Sequence, residues 1–117
     1  MTEEELKKRR KQFALRVIRL TEALPHTRTG EVLGRQLLRS GTSVGANYRA
    51  ACRGRSRADF ISKIGVVEEE ADESQYWLEL ILEAGLLPSQ QVSELTREAS
   101  ELTAIFTATG RSAKRNK

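Results

Sequence analysis

Apolar residues recur along this chain every three or four positions, in four runs separated by turn residues. From Glu3 to Leu24 the run is Leu6, Phe13, Val17, Leu20 and Leu24, which is one face of a helix with a 3.6-residue period. Thr2 and Glu5 form a capping box at its start. Pro25 closes it, because the residue before a proline disfavours helical geometry. The second run, residues 30–53, sets Leu33, Leu37, Gly41, Val44, Tyr48 and Ala51 on one face. The third, residues 57–84, opens on Ser56 and Asp59 as another capping box. It continues through Phe60, Ile64, Val67, Ala71, Leu78 and Leu82, with Gly85 as its cap and Pro88 just beyond. The fourth, residues 89–109, repeats Val92, Leu95, Ala99, Leu102 and Phe106 close to a heptad. Gly110 is its expected stop, and residues 111–117, RSAKRNK, are expected to form a frayed basic tail. No stretch alternates with the two-residue period of a strand. The pattern predicts one all-α domain over residues 1–117, an antiparallel up-down four-helix bundle.

The stretch SGTSVGANYRAACRGRSRADF, residues 40–60, is the one place where a glycine-rich anion loop could hide. A P-loop needs a preceding strand and a Lys followed by Ser or Thr, and neither is present. Gly41 and Gly45 are instead four apart and stack on one helical face. Each glycine weakens the helix by about 1 kcal/mol relative to alanine. Their expected return is a close crossing with another helix, or a slight kink after which Thr42 and Ser43 cap a restarted helix.

Charge is sorted by helix. No acid occurs between Val32 and Ala58, where Arg35, Arg39, Arg49 and Arg53 project away from the apolar stripe and Arg55 and Arg57 occupy the following turn. The third helix carries Glu68, Glu69, Glu70, Asp72, Glu73, Glu79 and Glu83, and no Lys or Arg occurs from Ile64 to Thr96. Segregation of this kind points to ionic pairing across helices or subunits, or to a basic surface for phosphates. Net charge is +4 at pH 7, with a sequence pI near 9.6, which permits nucleic-acid contact without demanding it.

Catalytic constellations are poorly supplied. The chain has one histidine, His26, and one cysteine, Cys52, so a Ser–His–Asp set, a Cys–His pair and a Glu-x-x-His metal centre all lack members. No enzyme activity, cofactor or metal is expected. A single cysteine precludes an internal disulfide and suits a reducing cytosol. The charged start MTEEELKKRRKQ lacks the apolar core of a signal peptide, and no run of 18 apolar residues exists. A cytoplasmic location without membrane contact is the expectation.

Residues 76–87, YWLELILEAGLL, are apolar on more sides than one bundle core requires. Leu78, Ile81 and Leu82 can face the core, while Tyr76, Trp77 and Leu80 point elsewhere. The surplus predicts a subunit interface through Tyr76, Trp77 and Leu80, with Glu69 and Glu73 available for ionic pairing. Asn47, at the edge of the core stripe, needs a partner for its amide and is expected to bond a neighbouring backbone.

The segment from Gln36 to Leu87, with its Arg39–Ser43–Val44–Asn47 string, its Arg55–Ser56–Phe60 turn and its Ala71–Glu73 to Glu79 stretch, resembles the four-helix bundle proteins encoded within intervening sequences of bacterial 23S ribosomal RNA genes. The resemblance runs from about Phe13 to Ile105. It implies a homopentameric ring of bundles, and kinship in fold with the basic accessory protein of diversity-generating retroelements, which works with a reverse transcriptase and nucleic acid. Many relatives carry Pro at the position of Gly45 and an acid followed by Gly at Ala50–Ala51. This chain does not, so no role tied to that acid carries over.

Two readings follow. In one, an oligomeric bundle binds RNA or DNA non-specifically through Arg35, Arg39, Arg49, Arg53, Arg55 and Arg57, helped by Lys7 to Lys11 and the tail. In the other, those arginines serve subunit assembly and the docking of a protein partner. Scarce aromatics, none interleaved with the arginines, argue against base stacking on single strands.

Overall fold

In a computed structural model, which describes residues 1–115, the four runs are four helices: α1 (Glu3–Glu22), α2 (Arg28–Cys52), α3 (Arg57–Glu83) and α4 (Ser89–Arg115). Each packs on its sequence neighbours, and α4 closes back onto α1. The pairs α1–α3 and α2–α4 lie across the diagonals, as short connections between antiparallel neighbours require. The bundle measures 49 × 21 × 20 Å.

The helix ends obey their local chemistry. The Thr2 hydroxyl accepts from Glu5 N (3.1 Å), and the Ser56 hydroxyl accepts from Asp59 N (3.1 Å). Asp59 completes its cap one residue earlier than a standard box: its carboxylate accepts from Arg55 N at 3.1 Å. Gly85, at φ 69°, takes the left-handed position beyond α3. There Leu86 N bonds Ile81 O and Gly85 N bonds Leu82 O, the paired bonds of a Schellman motif.

Three boundaries differ from expectation by two residues or more. Helix α1 ends at Glu22, and Leu24 is buried from the turn that follows. Helix α2 starts earlier, because Thr27 accepts from Gly30 N (3.1 Å) and so caps it. Helix α4 does not stop at Gly110 but runs on to Arg115. Gly110 keeps helical geometry, with φ outside the left-handed region, and a Cβ there would make only an ordinary contact of 3.4 Å with Ile64 Cγ2. Of the expected frayed tail, residues 111–115 are helical and residues 116–117 lie outside the described residues.

The core runs the length of the bundle, with Phe13, Val17, Leu37, Val44, Ile64, Leu78, Leu102 and Phe106 among its fully buried members. Tyr48 packs on Phe106 with ring centroids 5.5 Å apart. Glycines on α2 admit close neighbours: an added Cβ at Gly34 would come 3.0 Å from Leu24 Cδ1 in the turn after α1, and at Gly41 2.9 Å from both Val17 methyls on α1. The expected close crossing is present. Helix α2 meets α3 through a buried pair of hydroxyls, Ser40 and Ser74, 2.9 Å apart, each also reaching a carbonyl of its own helix. On the α1–α4 side, Arg9 grips Glu98 with two parallel bonds of 2.7 Å and has Glu101 at 3.6 Å.

Candidate nucleic-acid interface

The six arginines singled out by sequence are all exposed, but they do not form one surface. Arg49, Arg53 and Arg55 converge with Lys63 around a groove of about 420 Å³ floored by Ala46 and Ala50. The cause is local. Ala46, Ala50 and Arg53 face the start of α3, and the tight turn at Gly54 brings Arg55 beside them. A Cβ at Gly54 would stand 3.0 Å from Ala51 O and 3.1 Å from the Asp59 carboxylate. Among the described residues no ion pair closes on Arg49, Arg53 or the Arg55 side chain. Lys63 alone is paired, to Asp59 at 2.9 Å one turn earlier on α3. That ammonium, followed by the Arg55 amide, holds the Asp59 carboxyl below the usual carboxylate range.

Arg39 belongs to a different arrangement. Its guanidinium pairs with Glu70 at 3.1 Å and with Glu73, both on α3 of the same chain. The Trp77 indole also donates to Glu73 (3.0 Å). The predicted ionic pairing across helices is thus met here within one bundle. Arg35 lies about 21 Å up α2 from Arg49, at 1.5 Å per residue. There it lines a wider cavity of about 530 Å³ with Leu24, Pro25, His26, Glu31 and Leu38. Arg57 opens α3 on an exposed position.

Lys63 was not among the residues singled out from sequence. The signal for it was the Asp59–Lys63 spacing of four, which turns the lysine back toward the α2–α3 turn. Arg10 extends the cationic surface onto α1. Its guanidinium lies 5.6 Å from the Tyr48 ring centroid and against Gly45, where an added Cβ would stand 2.9 Å from Nη1. Arg10 Nε is buried without a hydrogen-bond partner among the described residues. Burial pushes the Arg10 pKa down, and Arg49 nearby adds to the shift. A Cβ at position 45 would push the end of the Arg10 side chain off this placement.

The expected subunit contacts divide similarly. Tyr76 is 53% exposed and meets Trp77 edge-on at 5.1 Å. Trp77 is half-buried against the core, Leu80 is half-buried, Glu69 is exposed, and Glu73 is occupied by Arg39 and Trp77. Asn47 bonds the carbonyl of Ser43 (2.9 Å) in its own helix, so it does not reach across to another element. Cys52 is half-buried at the edge of the core, and burial pushes its thiol up. Among the described residues no three potential metal ligands converge, and no helix is long and apolar enough to cross a membrane.

Four antiparallel helices with a cationic groove at one turn define a four-helix bundle protein. The chain belongs to the family of 23S rRNA-intervening sequence proteins, whose model it matches over residues 3–108. It is similar to a crystal structure from Bacteroides thetaiotaomicron described as a protein of unknown function from the S23 ribosomal protein family. Identity is 35%, the match covers 89% of this chain and 96% of that one, and the TM-score is 0.83. No curated protein matches the chain.

Proposed function

We propose that this protein is a cytoplasmic, non-catalytic bundle that works as an oligomer and binds the phosphate backbone of RNA or DNA without reading sequence. The observation that carries the reading is the convergence of Arg49, Arg53, Arg55 and Lys63 on one groove, three of them with no ion pair to a carboxylate among the described residues. Guanidinium groups left in water keep their capacity for paired bonds to phosphate oxygens. Arg39 is spent on Glu70 and Glu73 and is left out of the contact set, and Arg35 stands too far along α2 to share it. Filter binding of a mixed RNA at 50 mM and 200 mM salt tests the proposal. Retention at the lower salt that collapses at the higher supports it, and no retention at 50 mM refutes it.

One observation favours assembly alongside binding. Tyr76 is a large, largely exposed aromatic edge-on to Trp77, on the α3 face that carries Leu80 and Glu69. A second copy of the chain covers it in this reading, and the resemblance suggests five copies. The native mass of the purified protein decides between that and a monomer that docks an unrelated protein.

A further inference from the structure

The antiparallel order gathers the start of α1, the end of α2, the start of α3 and the end of α4 at one end of the bundle. The segments that meet there, residues 1–12, 43–69 and 103–115, hold thirteen Lys and Arg against six Asp and Glu. The remaining described segments, residues 13–42 and 70–102, hold six against ten. The modest net charge of the chain therefore conceals an axial division, with an excess of seven positive charges at one end and four negative at the other. Lys8, Lys11, Arg111, Lys114 and Arg115 are exposed and belong to the basic end with the Arg49 groove. The one largely exposed aromatic, Tyr76, sits with the half-buried Trp77 on the acidic segment of α3, whereas Tyr48, Phe13 and Phe106 are buried and Phe60, at the start of α3, is half-buried.

Resting on the phosphate-binding reading above, we infer that the ligand is a double helix, met by the basic end through its two backbones. Bundle ends here are about 20 Å across. Over about 20 Å a duplex presents about twelve phosphate charges and one of its strands about six. A broad end bearing cations from all four helices matches the former density. Single strands are held by bases stacked on exposed aromatics, and this end offers guanidinium and ammonium groups beside alanines, with no aromatic more exposed than the half-buried Phe60. The acidic end is repelled by the same field, so the bundle meets the helix in one orientation. The ligand chemistry, a phosphodiester duplex, is common to RNA and DNA.

Fluorescence anisotropy with a 16-base-pair RNA duplex, the same duplex in DNA and the 16-nucleotide single strand tests the inference. Variants R49E/R53E and K114E/R115E probe two helices of the basic end, and R97E removes charge from the acidic half. At least one duplex should bind about tenfold more tightly than the single strand, whichever sugar it carries. Both basic-end variants should lose about tenfold in affinity and R97E less than twofold, with helical circular dichroism unchanged. A single strand bound as tightly as both duplexes overturns the duplex inference and leaves phosphate binding standing. An R97E loss equal to that of R49E/R53E overturns the end-on orientation. No binding of any of the three ligands at low salt overturns the phosphate-binding reading itself.

Discussion

Gly41 on α2 lies so close to Val17 on α1 that a methyl group in its place would meet both valine methyls at 2.9 Å. The valine is fully buried and its branched side chain has little rotameric freedom. Neither partner can yield without shifting a helix. Gly41→Ala should therefore destabilise the fold by about 1–2 kcal/mol, overpacking outweighing the ~1 kcal/mol gain in helix propensity. Urea unfolding measures it. Val17→Ala in the same molecule should recover part of the loss, which independent sites would not do.

Gly65 provides the opposite case. It lies within α3, and apart from its chain neighbours and its own helix backbone no atom of the described residues stands within 4 Å of where its Cβ would be. Gly65→Ala should stabilise by about 0.5–1 kcal/mol through backbone entropy alone. A destabilised variant would mean that the α3–α4 packing is tighter than the structure shows.

The Arg9–Glu98 pair ties the first helix to the last with two short bonds and limited exposure. Glu98→Gln should lower stability by about 1–2 kcal/mol, between the worth of an exposed pair and that of a well-formed charged hydrogen bond. A double-mutant cycle with Arg9→Gln should return a coupling of about 1 kcal/mol. Zero coupling would mark the pair as an ornament of the surface.

Asp59 gives a pH signature. Lys63 and the Arg55 amide hold its folded pKa below the ordinary value of 3.8. The stabilisation is therefore present above the ordinary carboxylate range and is lost as pH falls through the lowered folded value. Wild type and Asp59→Asn should differ in melting temperature at pH 7 and converge in strong acid. A gap that stays constant down to pH 2 would assign the effect to something other than this titration.

Much of the fold was legible because helical bundles advertise themselves through period and caps. Thr2, Ser56 and Gly85 marked helix ends by their hydrogen bonding, and the structure uses all three. Gly110 misled because a glycine ends a helix in this way only where it takes the left-handed conformation, as Gly85 does and Gly110 does not. The candidate site was less legible. Sequence gives the direction of a side chain around its own helix, so the six arginines read as one set. It does not give the nearness of Glu70 and Glu73, which separates Arg39 from the rest, although the spacing of Arg35 from Arg49 along one helix already set them about 21 Å apart. Lys63 joins the groove from another helix, a juxtaposition that periodicity within one helix cannot contain.

The salt dependence of RNA binding by wild type and by Arg49→Ala/Arg53→Ala bears most directly on the central claim. If these two guanidinium groups each displace counterions from a phosphate, the slope of log K against log salt should flatten by about 2 in the double variant, with the fold intact. An unchanged slope, or wild-type binding that is indifferent to salt, would contradict the claim.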